Sequence, residues 1–230
     1  MELRIIAYAQ NGFADKFGIP RQSREESTIQ TRIVFTDEFR NSEALRGIDA
    51  YSHLWLIWGA DKVTTCPTDQ KSDTKLSWSP TVRPPRLGGN KRMGVFATRS
   101  PFRPNPIGLT SVKLIGVEQG DLIVTGADLM NGTPIYDIKP YLSFSDSHPD
   151  AINGFAEETK DYQLQVVWET DDVEPKLKTE LTEILQQDPR PAYHNDSARV
   201  YALDYAGAQV RFRVDGEKLL VVSCRQSNLL

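Results

Sequence analysis

The sequence predicts a mainly β protein, with a barrel or sandwich in its N-terminal part and a small α+β domain at the C-terminus. Three observations carry this. Short β-branched and aromatic runs recur along the chain, turn residues separate them, and one segment alone has a sustained helical period. With 39% hydrophobic and 25% charged residues among 230, the chain has the composition of a globular protein able to bury a sizeable core.

Residues 2–8, ELRIIAY, read as the first strand, and FGIPRQ at 17–22 follows as a loop. IQTRIVF at 29–35 alternates apolar and polar residues, so one of its faces is buried. Asn41 to Gly47 suits a helical turn capped by Asn41 or Ser42, and SHLWLIWGA at 52–60 is an apolar run of strand length. The polar residues 64–79 lack periodicity and read as a loop. Two further strands flank Gln119-Gly120-Asp121, a hairpin signal. Asn131-Gly132 marks a tight turn, and Pro134 and Pro140 argue against a central strand or a helix interior across 131–142.

The Ser/Asp/Glu-rich run from Ser143 to Asp161 suits a linker, which divides the chain into a first domain at 1–148, a linker at 149–162 and a second domain at 163–230. LQVVW at 164–168 is a strand. Leu177, Leu181, Ile184 and Leu185 fall at helical spacing behind Pro175, with Asp172 near the start and Pro189 as the stop. VYALDY, QVRFRV and KLLVVS complete the strands, the last two joined at Asp215-Gly216.

Net charge is −4, yet it is unevenly spread: residues 1–150 carry 18 Lys/Arg against 17 Asp/Glu, and 151–230 carry 9 against 14. The basic residues concentrate in PTVRPPRLGGNKRMGVFATRSPFRPNPIG at 80–108, which holds six prolines, four glycines and Arg83, Arg86, Lys91, Arg92, Arg99 and Arg103. Proline fixes φ and glycine permits positive φ, so this run has a prescribed loop path that presents a stationary anion-binding surface. Cys66 and Cys224 are too few for a disulfide framework or a zinc motif. The start has no uninterrupted apolar region of leader type and no run is long enough to span a membrane, so the cytoplasm is the expected location.

Several chemistries are excluded by pattern. Gly89 to Gly94 has the spacing of a phosphate-binding loop, but Val95 stands where that loop needs lysine. No G-x-G-x-x-G follows a strand, which removes the ordinary dinucleotide fold. There is no G-x-S-x-G or H-E-x-x-H, and His53, His148 and His194 are isolated, so no metal site is expected. His53, beside Ser52, reads as a hydrogen-bonded core histidine.

The run PRLGGNKRMGVFATRSPFRPNPIG, with YSHLW at 51–55, NGTPIYDIKPYL at 131–142 and DPRPAY at 188–193, closely resembles the TrmO family, which carries a TsaA-like domain. The resemblance implies S-adenosylmethionine-dependent methylation of N6 of threonylcarbamoyl-adenosine beside the tRNA anticodon. It further implies a β-barrel cofactor domain at 1–148, a partner in the tRNA anticodon stem-loop, and a homodimer. Carried across motif by motif, the cofactor contacts are Pro20, Arg21, Gln22, Asp61, Lys62, Arg99, Leu109, Asn131, Gly132, Thr133 and Pro134. Two positions depart from the family pattern: Asn131 stands where Asp is common, and Asp61 where His is common.

Methyl transfer is an in-line displacement, so a rigid Pro/Gly frame suits its alignment. The accepting ureido nitrogen must lose a proton, for which Asp137 and Asp188 are candidates. Arg83, Arg86, Arg92, Arg103, Lys139 and Arg190 are candidates for tRNA phosphates, and Tyr193 for stacking on a base. A non-catalytic RNA- or nucleotide-binding barrel, or an S-adenosylmethionine enzyme with a different substrate, is the alternative.

Overall fold

The structure, a computed structural model, describes residues 2–20, 22–24, 26–60, 78–84, 91–170, 172–190 and 196–226. Six strands close into an antiparallel barrel: β1 (Ala7–Gln10), β2 (Gln30–Phe35), β3 (His53–Gly59), β6 (Ile107–Glu118), β7 (Asp121–Thr125) and β8 (Pro134–Pro140). Around the barrel the order is β1, β2, β7, β6, β3, β8 and back to β1. Closure removes the exposed edges that an open sheet would present. The interior is filled by alternate residues, among them Ala7, Ala9, Ile33, Leu54, Leu56, Val112, Leu122, Val124 and Ile135.

The hairpin between β6 and β7 turns on Gln119 and Gly120, both with positive φ, as a two-residue turn requires. Asp121, 3% exposed, ties the barrel together: its carboxylate accepts the Phe35 amide and pairs with Arg32 and Arg40. Between β3 and β6 a two-stranded ribbon forms from β4 (Thr81–Val82) and β5 (Met93–Gly94), followed by a 3-10 turn at Val95–Ala97. Arg99 lies two residues beyond that turn.

One expectation fails at 131–142, because Pro134–Pro140 is β8 and pairs with both β1 and β3. The prolines occupy its first and last positions, where a missing amide hydrogen leaves the ladder between them intact. The run 143–161 holds one helical turn, α1 (Ser143–Asp146), and a 3-10 segment at Gly154–Thr159.

The second sheet has the order β10 (Tyr201–Tyr205), β11 (Ala208–Asp215), β12 (Lys218–Gln226), β9 (Gln165–Trp168), and β9 lies parallel to β12. Helix α2 (Pro175–Gln186) covers it with Leu177, Leu181, Ile184 and Leu185, the four residues its period singles out. Its N-cap is Glu174, not Asp172: the Glu174 carboxylate accepts the amides of Lys176 and Leu177 at 2.9 and 2.7 Å. The last hairpin turns on Gly216 and Glu217, one residue later than an Asp-Gly turn, since Asp215 is already paired with Lys218. Phe13 and Ile29, from the connection between β1 and β2, are buried in this second core beside Phe212 and Tyr205.

Candidate functional site

On the outside of the barrel, where β3 and β6 run antiparallel, side chains come in facing rows. Leu54 and Leu56 point inward, so His53, Trp55 and Ile57 point outward, opposite Lys113, Ser111 and Leu109. A shift in pairing with β8 falls between Ile57 and Trp58, and Trp58 also lines the site. His53, Trp55, Trp58, Leu109, Ser111 and Lys113 floor a cleft of about 930 Å³, whose lining also includes Pro20, Gln22 and Arg24 and, from the loop after β5, Thr98, Arg99 and Arg103. His53 and Trp58 lie five residues apart along β3, about 17 Å of extended strand.

One end of the cleft is built around Arg99. Its guanidinium donates to Gln22 Oε1 at 2.8 Å, joining two loops 77 residues apart. Next to them Thr110 Oγ1 donates to Asp128 Oδ1 at 2.7 Å, and Trp58 Nε1 donates to Thr110 Oγ1 at 2.8 Å. Burial pushes the Asp128 carboxyl above the usual carboxylate range, against the opposing pull of the Thr110 hydroxyl, its own backbone amide and the Arg99 charge. The indole of Trp58 lies against Gly108, where a Cβ would come within 2.1 Å of Cε2.

The other end is aromatic and polar. Tyr141 packs on Trp55 with ring centroids 5.4 Å apart and meets the His53 ring at 6.2 Å. Trp55 Nε1 donates to Asp146 at 2.8 Å, and the Leu142 amide and Trp55 together hold that carboxyl below its ordinary value. His53 shares a 2.8 Å hydrogen bond with Ser52, as its neighbour suggests, but it lines the cleft instead of the core because the alternation of β3 turns it outward.

The structure gathers Pro20, Gln22, Arg99, Leu109 and Arg103 on one cleft. Thr133 and Pro134 line an adjoining cavity of about 70 Å³ that shares Trp58, Ala60 and Asp128 with it. Asn131 and Gly132 line neither of these two; they fasten the turn, the Asn131 amide donating to Phe13 O and the Gly132 amide to Ala9 O. Arg103 holds the loop path, donating to the carbonyls of Val95 and Thr98 with its guanidinium over the exposed Phe96 ring. Arg83 and Arg92 are exposed outside the cleft. Arg21, Asp61, Lys62, Arg86 and Tyr193 lie outside the described residues, as does nearly all of the polar stretch 64–79.

Neither acid proposed from sequence lines the cleft. Asp137 shares the outward face of Ile57 and pairs with Lys139 at 2.7 Å. Asp188 is bound through both oxygens by Arg190, at 2.7 and 2.9 Å, and accepts from Tyr162. Burial works to raise the Asp188 carboxyl, but the Arg190 and Tyr162 bonds outweigh it and hold the group below its ordinary value. A depressed carboxylate contributes stability above its unfolded pKa and loses it as pH falls through the folded pKa. Asp188→Asn is therefore expected to destabilise the protein by about 3 kcal/mol at pH 7, with the difference shrinking in acid below about pH 4; urea denaturation across pH checks it.

Asp128, Trp58 and Trp55 line the cleft without being singled out by the sequence, and Thr110, buried behind it, reaches it through its bond to Asp128. The available signal was an acid in GADLM, set between Ala127 and Leu129, both of which are buried. The cleft suits S-adenosylmethionine chemically, with a guanidinium for the cofactor carboxylate, apolar and aromatic surface for its adenosyl part, and a volume in the range of small-molecule sites. Among the described residues no three His, Cys, Asp or Glu side chains gather as metal ligands, and no helix is long and apolar enough to cross a membrane.

Comparison with known proteins agrees with this chemistry. Residues 8–147 match the model of the tRNA-methyltransferase O N-terminal domain, and 156–227 that of the TrmO C-terminal domain. The chain is 37% identical over 225 residues to the tRNA (adenine(37)-N6)-methyltransferase of Escherichia coli, covering 91% of each protein. It is 37% identical to the putative S-adenosylmethionine-dependent methyltransferase RcsF of Pseudomonas aeruginosa, covering 82% of this chain and 81% of that one. A crystal structure of TrmO from Pseudomonas aeruginosa superposes with a TM-score of 0.75 at 28% identity, covering 98% of each chain.

Proposed function

Because the chain belongs to the tRNA-methyltransferase O family, we propose that it transfers the methyl group of S-adenosylmethionine to N6 of adenine 37 in tRNA, with threonylcarbamoyl-adenosine as the accepting nucleoside. The observation that carries this reading is the bond from Arg99 to Gln22, which joins two of the motifs expected to contact the cofactor across a single cleft.

Bound there, the cofactor supplies a methyl group on a cationic sulfur. Arg99 would hold its carboxylate, while Pro20, Trp58 and Leu109 offer apolar surface to its adenosyl part. Trp55 and Tyr141, at the far end, offer ring faces to a nucleotide flanking the accepting adenosine in the anticodon stem-loop, with Lys113 beside them for phosphate. Arg83 and Arg92, exposed beyond the cleft, extend the basic surface toward the tRNA, and Lys139 joins them on the outer face of β8. Arg190 is only 11% exposed and is engaged by Asp188, so its contribution is to the fold. Arg21, Asp61 and Lys62 keep the cofactor roles their motifs imply.

The protein works as a cytoplasmic homodimer in this reading. Ile107 and Leu109 stand exposed at the start of β6, apolar side chains of the kind that mark association surfaces. Since both line the cleft, a second copy seated on them would border the cofactor site.

Purified protein is expected to transfer methyl to tRNA carrying threonylcarbamoyl-adenosine and not to the same tRNA with plain adenosine at that position. Equal transfer to both would remove the proposed nucleoside specificity. Binding of tRNA without calorimetric detection of S-adenosylmethionine would favour the non-catalytic RNA-binding alternative.

A further inference from the structure

Resting on the methyltransferase reading, we infer that Asp128 is the group that takes the N6 proton during transfer, positioned by Thr110 and Trp58. The direction of two hydrogen bonds carries the argument. An indole N–H can only donate, so Thr110 Oγ1 must accept from Trp58, and the hydrogen of Thr110 goes to Asp128 Oδ1. Oδ1 is thereby fixed as an acceptor, and a proton reaching this carboxylate is carried on Oδ2. Thr110 is 2% exposed and Trp58 is pinned over Gly108, so the pair has little freedom to reverse that arrangement. Asp128 lines both the 930 Å³ cleft and the 70 Å³ cavity beside it.

The step balances. The N6–CH₃ bond forms as the S–CH₃ bond breaks, the sulfonium leaves as a neutral thioether, and the N6 proton passes to Asp128, which ends as a neutral acid. Burial favours that neutral product, so the group is a stronger base than an exposed aspartate. The titratable and charged groups around it are Arg99 and Arg103 on the loop after β5, Arg24 and Lys16 on the connection between β1 and β2, and His53, Lys113 and Asp146 toward the aromatic end. Arg99 opposes protonation of Asp128 and sets a ceiling on its basicity.

The test compares wild type, Asp128→Asn and Thr110→Val in three readouts: NMR titration of the Asp128 carboxyl carbon, calorimetric affinity for S-adenosylmethionine, and single-turnover transfer to modified tRNA across pH. In wild type the carboxyl is expected to titrate above the ordinary aspartate range, with the acid limb of the rate following the same midpoint. Asp128→Asn keeps an acceptor for Thr110 and is expected to slow transfer at least about 100-fold, with cofactor affinity unchanged within about threefold. Thr110→Val removes a bond that lowers the Asp128 pKa, so midpoint and acid limb should move up together. A folded carboxyl that holds its proton more tightly loses stability as pH rises through its folded pKa, so the uncharged Asn variant should be no less stable than wild type at pH 7. Asp128→Asn that lost cofactor affinity but kept the transfer rate would make Asp128 a counter-charge for the cofactor and overturn the inference. An ordinary carboxyl titration, or an unchanged rate, would overturn it as well. A wild-type protein that transfers no methyl at all fails the methyltransferase reading itself, and the inference with it.

Discussion

Arg99→Ala is expected to weaken S-adenosylmethionine binding by about 10- to 100-fold, the loss that follows from removing a charged hydrogen bond worth about 1.5–3 kcal/mol. The side chain is exposed and its one described side-chain bond, to Gln22, lies at the cleft mouth, so the fold should lose less than about 0.5 kcal/mol. Arg99→Lys keeps the charge but not the planar fork and should fall between the two. Calorimetry of the folded fraction separates the roles: loss of folding with unchanged affinity would make Arg99 a structural residue.

Gly108→Ala should have a larger effect than its single methyl group suggests. A Cβ there would meet the Trp58 ring at 2.1, 2.3 and 2.5 Å, and the indole must move to admit it. Overpacking of this kind costs about 1–3 kcal/mol. The displaced indole also drops its bond to Thr110, which frees the hydroxyl that orients Asp128. A misplacement of about 1 Å at a reacting centre is enough to slow transfer about 100-fold. Gly116→Ala, on the same strand with nothing within 4 Å of the added atom, is the control and should stay within about 0.5 kcal/mol of wild type. Thermal denaturation and single-turnover rates on the pair distinguish a local block at Trp58 from a general intolerance of β6 to side chains.

The sequence makes some of this architecture readable and hides the rest for physical reasons. The period of Leu177, Leu181, Ile184 and Leu185 announces α2 because one face of a helix must be apolar to be buried. The alternation of IQTRIVF announces β2 in the same way. β8 is hidden because proline is read as a strand breaker, and only pairing partners reveal that Pro134 and Pro140 sit at its ends. The hairpin between β10 and β11 is hidden too, since one of its positive-φ positions is Ala206, a residue that does not advertise a turn.

The site divides along the same line. Pro20, Gln22, Arg99 and Leu109 could be assigned to one cofactor because their motifs are distinctive, and they share a cleft. Asp137 and Asp188 were drawn from equally distinctive motifs, yet register and ion pairing direct both elsewhere. Asp128 stands in an unremarked stretch, and its chemistry comes from burial and from Thr110, 18 residues away in sequence. That coupling exists only once β6 and β7 have paired within the barrel. The basic run at 80–108 keeps the role its prolines and glycines suggest: Arg103 fastens its carbonyls, and Arg99 is left pointing across the cleft to Gln22.

Nucleoside mass spectrometry of tRNA from cells lacking this gene and from the same cells expressing it reads the proposed methyl transfer at its product. Expression is expected to add the mass of one methyl group to threonylcarbamoyl-adenosine, with the Asp128→Asn variant failing to restore it. An unchanged threonylcarbamoyl-adenosine peak on expression of the wild-type protein, with the protein folded and S-adenosylmethionine present, would contradict the account.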